Sequence, residues 1–378
     1  MKKKITLSIF IFVKKIFYLL FFSEKYFLPP SKKKILIFDA MESNQIIKYT
    51  KKSRTEVLDF RFLELKNSKV NIYILLKLIF LKLSIKNFMQ NYCELYINEV
   101  RPSIIITLAD NYELFYKLKP QAFSYKKIMV QRALRSLMPT DILCNLSMLK
   151  KKNYNVDYIL SFNKKIGFLF KKFLKGKVMS IGSFRSNFFK KLKKRKNIEL
   201  MYVSVWRSEE PAKKEDYVLF RNIQKYCLEN NIKLTILGCK IALANQEEKF
   251  YRKIFTNIKY KFLQKTLNRD TYRIVDACKI LISVESTLGY ESASRGNKVC
   301  FFSIRGNRFP DVSLKFGWPL NFKSRGKFWT NSKSYLEFER IINCVKSIRV
   351  KDYKKNIHKI INFDEENKTF NNLIKDIK

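Results

Sequence analysis

Residues Ile280–Ser303 read ILISVESTLGYESASRGNKVCFFS, and this stretch decides the fold. It begins with a short apolar run, crosses a tight polar turn into a helical stretch, and returns through Gly296 to a second apolar run. Short apolar runs are typical of buried strands, and a glycine at that place is typical of a helix C-terminus. The stretch therefore predicts two parallel strands joined by a helix that covers one face of their sheet.

The polar turn Glu285–Gly289 is the part of this stretch that could bind a ligand. It follows the carboxyl end of a predicted strand, where sheets of this kind bind their ligands. The hydroxyls of Ser286 and Thr287 stand at a helix N-terminus, whose dipole and backbone N–H groups favour phosphate. Glu291, just inside the helix, could accept hydrogen bonds from a ribose diol, or it could only complement the helix dipole. The residues alone leave both interpretations open.

The same alternation of apolar runs and helical stretches extends in both directions. Apolar runs at Ile35–Phe38 and Ile104–Thr107 end in Asp39 and Asp110, and the series restarts at Leu200–Val205. Strands that alternate with helices in this way indicate parallel sheets covered on both faces. The sequence therefore predicts an α/β fold with two Rossmann-like domains.

The domain boundaries follow from the charged segments. The run KKLKKRK at residues 190–196 predicts a hinge, so the two domains span residues 31–190 and 191–348. Residues 349–378 are predicted to form a basic C-terminal tail or helix. We find no short-period repeat.

The N-terminal segment, residues 1–30, alternates lysines with apolar runs that are individually too short to span a bilayer. This pattern favours an amphipathic helix lying in the membrane interface, although a helix packed on the protein's own core has the same pattern. The stretch Ile72–Leu83 is similar, and the sequence does not decide whether it is a core helix or a second membrane-facing one.

Composition limits the function classes. The 77 Lys and Arg residues against 32 Asp and Glu residues give a net charge of +45, but the lysines are spread along the chain. This favours an anionic partner, such as a phosphate or an anionic membrane surface, without indicating a nucleic-acid groove. Seven dispersed cysteines and a single histidine, His358, argue against a disulfide framework, an imidazole metal site and Ser-His-Asp chemistry.

The pattern S-x-x-S-T-L-G-Y-E-x-x-x-R-G-x-K-V, which begins at Ser283, resembles the nucleotide-binding element in the second domain of GT-B-type glycosyltransferases. The chain as a whole resembles a family of bacterial surface-carbohydrate biosynthesis proteins of the O-antigen type. Weaker matches support this likeness, which covers about residues 33–345: KKILIFD from Lys33, IIIT-x-x-DN from Ile104, IGSFRSN from Ile181, SVWR from Ser204 and FFSIRG from Phe301.

The resemblance implies roles for particular residues. Ser286, Thr287 and Gly289 would meet the diphosphate of a nucleotide-sugar donor, and Glu291 would bind the ribose. Two arginines would offset the charge of the departing phosphate, namely Arg207 and Arg305, although each could instead form an ordinary salt bridge. An inverting transfer needs a base from the first domain, for which the candidates are Asp110 and then Asp39; either could simply cap a loop.

The resemblance implies a nucleotide-sugar-dependent glycosyltransferase that extends a lipid-linked glycan acceptor at the cytoplasmic face of the plasma membrane. It also implies that no metal and no cofactor other than the nucleotide-sugar substrate is needed. The alternatives are transfer of a phosphorylated polyol, as in CDP-glycerol-type transferases, and a non-catalytic glycan- or lipid-binding assembly protein. Nucleic-acid binding is favoured by charge alone, and we expect none.

Overall fold

Two six-stranded parallel sheets organise the protein, which is represented by a computed structural model. The structure describes residues 17, 21–61, 68–83, 87–138, 141–144, 154–191, 196–208, 214–266, 268–307 and 312–377. We call the part built on the first sheet the N-lobe and the part built on the second sheet the C-lobe. The predicted fold class, two Rossmann-like domains with parallel sheets, is confirmed.

The N-lobe sheet has the strand order β3-β2-β5-β6-β7-β8, and a separate parallel pair joins β1 to β4. The strands β2 and β5 have the sequences ILIF and IIIT and are buried on both faces, as expected for the centre of a parallel sheet covered by helices. The strands are β1 Glu24–Tyr26, β2 Ile35–Phe38, β3 Thr55–Leu58, β4 Lys69–Asn71, β5 Ile104–Thr107, β6 Lys126–Val130, β7 Tyr154–Ser161 and β8 Leu174–Ser180. The helices are α1 Ser43–Thr50, α2 Ile72–Phe80, α3 Phe88–Val100, α4 Glu113–Lys117, α5 Lys164–Lys171 and α6 Phe184–Phe188.

The C-lobe sheet has the order β11-β10-β9-β12-β13-β14, so the chain reverses its direction of winding between β9 and β12. Its strands are β9 Ile198–Val203, β10 Leu234–Leu237, β11 Tyr260–Leu263, β12 Cys278–Ser283, β13 Val299–Phe302 and β14 Trp329–Thr330. The helices are α7 Lys214–Glu229, α8 Ala244–Ile254, α9 Asn268–Asp276, α10 Thr287–Ser294, α11 Tyr335–Ser347, α12 Val350–Ile357 and α13 Lys368–Asp376. Ligands of such sheets bind at the carboxyl ends of the strands where the winding reverses.

The C-terminal segment, for which the sequence predicts a basic tail or helix, contains the helices α12 and α13. The helix α13 returns to the N-lobe, where Phe370, Leu373 and Ile374 are buried in one apolar cluster with residues of β2 and β5. The side chain of Asn367 also donates a hydrogen bond to the carbonyl of Phe184 at 2.8 Å. This segment therefore ties the two lobes together, because its apolar face finds its partner in the other lobe.

The predicted hinge at residues 190–196 is held at both ends by backbone contacts with the C-lobe. The ammonium of Lys191 donates to the carbonyl of Arg295 at 2.5 Å, and that of Lys196 donates to the carbonyl of Cys278 at 2.7 Å. Burial lowers the pKa of Lys191 to about 8. These two lysines therefore attach the connection to the C-lobe, while residues 192–195 lie outside the described part of the chain.

The predicted helix at residues 1–30 falls largely outside the described part of the chain, which begins with residues 17 and 21. Where the chain is described, the helix does not extend to residue 30. Residues Glu24–Tyr26 form β1 and pair with β4, a partner too distant in sequence for a local pattern to indicate. Within the described residues, no helix combines the length and apolarity needed to cross a membrane.

Candidate functional site

The turn after β12 forms a helix start that faces the other lobe. Ser286 caps α10, since its hydroxyl oxygen accepts a hydrogen bond from the N–H of Leu288 at 3.3 Å. The hydroxyl oxygen of Thr287 accepts a hydrogen bond from the N–H of Leu134 in the N-lobe at 3.1 Å. The N-terminus of α10, whose dipole favours anions, therefore lies where the two lobes meet.

Gly289 is required by the close approach of α10 to β12. A Cβ at this position would lie 2.1 Å from Oγ and 2.6 Å from Cβ of Ser283, so no other residue fits without moving the strand or the helix. The glycine that the resemblance assigns to a diphosphate contact thus has a packing role that needs no ligand.

A cavity of about 280 Å³ opens beside this turn and is lined by both lobes. Arg135 and Asp141 line it from the N-lobe, while Arg207, Glu285 and Lys315 line it from the C-lobe. Arg207 follows β9 and Glu285 follows β12, the two strands at which the winding reverses. The cavity therefore occupies the position where an open parallel sheet binds its ligand.

The two predicted phosphate-binding arginines differ in what they contact. The guanidinium of Arg305 is bound to the carboxylate of Asp216 through two hydrogen bonds of 3.0 and 2.7 Å, and it lies 3.4 Å from Glu285. Arg207 is exposed and lines the cavity, and neither it nor Lys315 forms an ion pair with any residue that the structure describes. Among the described residues that line the cavity, Arg207 and Lys315 are thus the cations without a carboxylate partner that an anionic ligand could reach.

Glu291 joins the two lobes. Its side chain is fully buried, and its carboxylate accepts hydrogen bonds from the hydroxyls of Ser183 at 2.6 Å and Tyr272 at 2.9 Å. The guanidinium of Arg185 lies 3.3 Å from the same carboxylate and 3.6 Å from Glu42. Ser183 and Arg185 belong to the N-lobe. A ribose could reach Glu291 only if these side chains broke their contacts with its carboxylate. The ribose contact stays a prediction.

Charge and burial shift the pKa values of three groups around Glu291, namely Arg185, Tyr272 and Lys265. Burial opposes the charge of Arg185, but interactions with Glu291, Tyr272 and Glu42 together outweigh it, and the pKa of Arg185 lies well above its ordinary value. Burial, followed by the charge of Glu291, raises the pKa of Tyr272 well above its ordinary value. Burial, followed by the charge of Arg185, lowers the pKa of Lys265. Arg185 therefore stays charged and Tyr272 stays protonated at neutral pH.

The two aspartates predicted as bases each bind an arginine. Asp110 is fully buried, and its two oxygens accept hydrogen bonds from the guanidinium of Arg135, one of them at 2.8 Å. Asp39 has a φ of 98° and pairs with Arg61 through contacts of 2.9 and 2.7 Å. Neither aspartate lines the cavity. These pairs hold the carboxyl ends of β2 and β5 in place, and a proton-accepting role for either aspartate has no support from the geometry.

Asp141 is the N-lobe carboxylate that does line the cavity. It is partly exposed, and its oxygens accept hydrogen bonds from the N–H groups of Ser136 at 3.0 Å and Leu143 at 3.1 Å. Burial raises the pKa of Asp141, which makes it a better proton acceptor than an ordinary aspartate. Sequence reasoning missed it because it follows no predicted strand. Ser183 and Arg185 were also missed as functional residues, although they lie in the IGSFRSN match.

In the part of the chain that the structure describes, no three His, Cys, Asp or Glu side chains converge as metal ligands would. A requirement for metal stays untested, and the predicted absence of one remains a prediction.

The fold is similar to that of several solved proteins. The wall teichoic acid polymerase TagF matches with a TM-score of 0.53 at 13% identity, covering 99% of this chain and 95% of that chain. MnaA from S. aureus, solved with UDP, matches with a TM-score of 0.55 at 14% identity, covering 91% and 96%. HepE from Anabaena, solved with UDP and glucose, matches with a TM-score of 0.54 at 11% identity, covering 91% and 99%. At such identities the likeness shows the fold, which is of the GT-B type.

No curated protein sequence matches the chain significantly. A family model described as "putative O-antigen biosynthesis protein" matches residues 128–378, which include the whole C-lobe and the N-lobe strands β7 and β8. This match covers the turn after β12, the cavity-lining Asp141 and the junction at Glu291. The chain therefore belongs to this O-antigen biosynthesis protein family.

Proposed function

We propose that this protein is a GT-B-type glycosyltransferase that transfers a sugar from a nucleotide-sugar donor to a lipid-linked surface-glycan acceptor. The observation that carries the proposal is the cavity between the lobes, which is lined by Arg207 and by Glu285 and Tyr290 on either side of the first residues of α10. Family membership supports a role in surface-carbohydrate synthesis. Two proteins with the same fold, MnaA and HepE, were solved with UDP, which supports a nucleotide donor.

The donor would bind with its diphosphate at the start of α10, near Ser286, Thr287 and Gly289. Arg207 would contact the phosphate that departs with the nucleotide, because its guanidinium is exposed to the cavity and suits bidentate phosphate contact. Arg305 would act indirectly by holding Glu285 and Asp216 in place. Helix dipole and arginine would supply the charge stabilisation, with no metal in the proposal.

The acceptor would approach from the N-lobe side of the cavity. Of the carboxylates there, Asp141 is the best placed to take the proton of an acceptor hydroxyl, because it lines the cavity and burial raises its pKa. Asp110, the first choice from the sequence, would instead hold Arg135 at the cavity wall. With a lipid-linked acceptor, the reaction would take place at the inner face of the plasma membrane.

Transfer of a phosphorylated polyol is the second candidate function. It is favoured by the fold likeness to TagF, a wall teichoic acid polymerase. The two reactions differ in their leaving group. Sugar transfer from a nucleoside diphosphate sugar releases a nucleoside diphosphate, whereas transfer of a phosphopolyol from a CDP-linked donor releases CMP. The product therefore separates the two candidates.

The donor site is tested by thermal unfolding of the purified protein with UDP, CDP and GDP, followed by titration calorimetry with the nucleotide that stabilises most. We expect one nucleotide to raise the melting temperature. We expect Arg207→Ala to weaken its binding about tenfold or more, as for the loss of a charge-assisted phosphate contact. The matched control is Arg252→Ala, which alters an exposed arginine on α8. Unchanged melting with all three nucleotides, or equal binding by Arg207→Ala and wild type, would refute the proposed site.

A further inference from the structure

The helix α2 is apolar on two opposite faces. Ile74 and Leu78 are buried, and they attach the helix to the N-lobe core. Leu76, Ile79 and Phe80 lie on the opposite face of the helix, at i, i+3 and i+4, yet they are exposed. Surface helices usually carry polar side chains on their outer face, and helices that are apolar all round are found in cores or in membranes.

A second exposed apolar segment lies beside the start of this helix. The side chain of Asn71 caps α2, accepting a hydrogen bond from the N–H of Ile74 at 3.0 Å, and it donates to the carbonyl of Leu28 at 2.9 Å. Phe27 and Leu28 are therefore anchored next to the first turn of α2. The exposed fractions of the side chains are 69% for Phe27, 79% for Leu28, 61% for Leu76, 73% for Ile79 and 85% for Phe80. We call these five residues the apolar ridge. Large apolar side chains exposed together along one helix and beside its start are typical of an interaction site.

The charge around the apolar ridge indicates what it meets. Residues 21–34 and 69–83 contain seven lysines and one glutamate, Glu24; Lys69 pairs with Glu24 and Lys77 with Glu99, so an excess of positive charge remains. A second copy of the protein would set these lysines against their own equivalents, and the repulsion would oppose a symmetric contact. An anionic bilayer attracts lysines at its surface and takes apolar side chains into its interfacial layer.

We propose that the apolar ridge inserts into the surface of an anionic lipid bilayer while the surrounding lysines contact its head groups. Phe80, the most exposed of the five, would enter deepest. The surface belongs to the N-lobe, to which the proposed function assigns the acceptor. Bilayer docking is independent of the donor site, because no residue of the apolar ridge lines the cavity between the lobes.

The test is sedimentation of the full-length protein with vesicles of phosphatidylcholine alone or mixed with phosphatidylglycerol. We expect binding only to the mixed vesicles. We expect the triple variant Leu76→Ser, Ile79→Ser and Phe80→Ser to bind them more than about tenfold more weakly. The matched control substitutes serine for three apolar side chains of the C-lobe that are also more than half exposed, namely Leu228, Ile241 and Leu336. This control should bind as wild type does.

Equal binding of the ridge variant and wild type would overturn the proposal, as would an equal loss in the control. A ridge variant that is less stable but still binds vesicles would show that another part of the protein covers the apolar ridge, and this result would also overturn the proposal. A second readout uses Phe80→Trp, whose fluorescence should shift to the blue with the mixed vesicles; an unshifted spectrum with bound protein would refute insertion. Nucleotide binding measured on the same variants should stay unchanged, so failure of the donor site and failure of docking are distinguishable.

Discussion

The carboxylate of Glu291 offers the sharpest test of how the two lobes are held together. Glu291→Gln keeps the size of the side chain but removes the charge opposite Arg185. Breaking a buried ion pair by removing one partner costs about 3–5 kcal/mol. The side chain of Arg185 is 17% exposed and retains Glu42 at 3.6 Å. We therefore expect a loss of about 2–3 kcal/mol in the free energy of unfolding, near the value for a charge-assisted hydrogen bond.

Urea unfolding followed by tryptophan fluorescence measures this loss. Tyr272→Phe removes one hydrogen bond to the same carboxylate, so it should cost less, about 1–1.5 kcal/mol. The matched control is Glu248→Gln, which removes an exposed carboxylate that lies 3.4 Å from Arg252 on the surface of α8. A surface pair of this kind contributes about 0–1 kcal/mol. Equal losses for Glu291→Gln and Glu248→Gln would refute the argument that this carboxylate joins the lobes.

The same variant separates the two roles considered for Glu291. A joining role predicts lower stability with donor-nucleotide affinity reduced only modestly. A ribose contact predicts that the affinity falls about tenfold or more even where the protein remains folded, because the hydrogen bonds to the diol are lost.

Two further predictions concern the turn and the proposed base. Gly289→Ala should destabilise the protein by about 1–3 kcal/mol, because the new methyl group would lie 2.1 Å from the hydroxyl oxygen of Ser283. In urea unfolding, the double variant Ser283→Gly and Gly289→Ala should recover much of this loss. A double variant that is no more stable than Gly289→Ala would contradict the packing argument. Burial raises the pKa of Asp141, and Asp141 must be ionised to act as a base. As the pH is lowered, the transfer rate should therefore begin to fall at a higher pH than it would with an ordinary aspartate as the base. In a pH–rate profile, Asp141→Asn should lower the rate about 10²–10⁴-fold and remove this decline, whereas a retained decline would assign it to another group.

Much of the fold could be predicted from the sequence. The run ILIF at Ile35–Phe38 is apolar at every position and the run IIIT at Ile104–Thr107 at all but the last, a pattern typical of a short strand buried on both faces. The packing of the C-terminal segment could not be predicted from the sequence. The sequence predicted a basic tail or helix there without indicating what it packs against; Phe370 and Ile374 lie on one helix face, and the residues that bury this face belong to the N-lobe strands.

The candidate site was predictable only in part. The turn at Ser286 was found because strand ends and helix starts can be read locally. The contacts of Glu291 were not, because Ser183 lies 108 residues away along the chain. Asp110 and Asp39 stand at the strand ends where a base was expected, but each faces an arginine supplied by a different segment.

The sequence by itself determined the two parallel sheets and the turn that leads into α10, because strand burial and helix starts depend on neighbouring residues. Only the tertiary structure decided which charged groups are neutralised, which carboxylate lines the cavity, and which apolar face of α2 is left exposed. The physical reason is that each of these three features depends on a residue from a distant part of the chain that folding brings close. The local sequence pattern does not identify that residue.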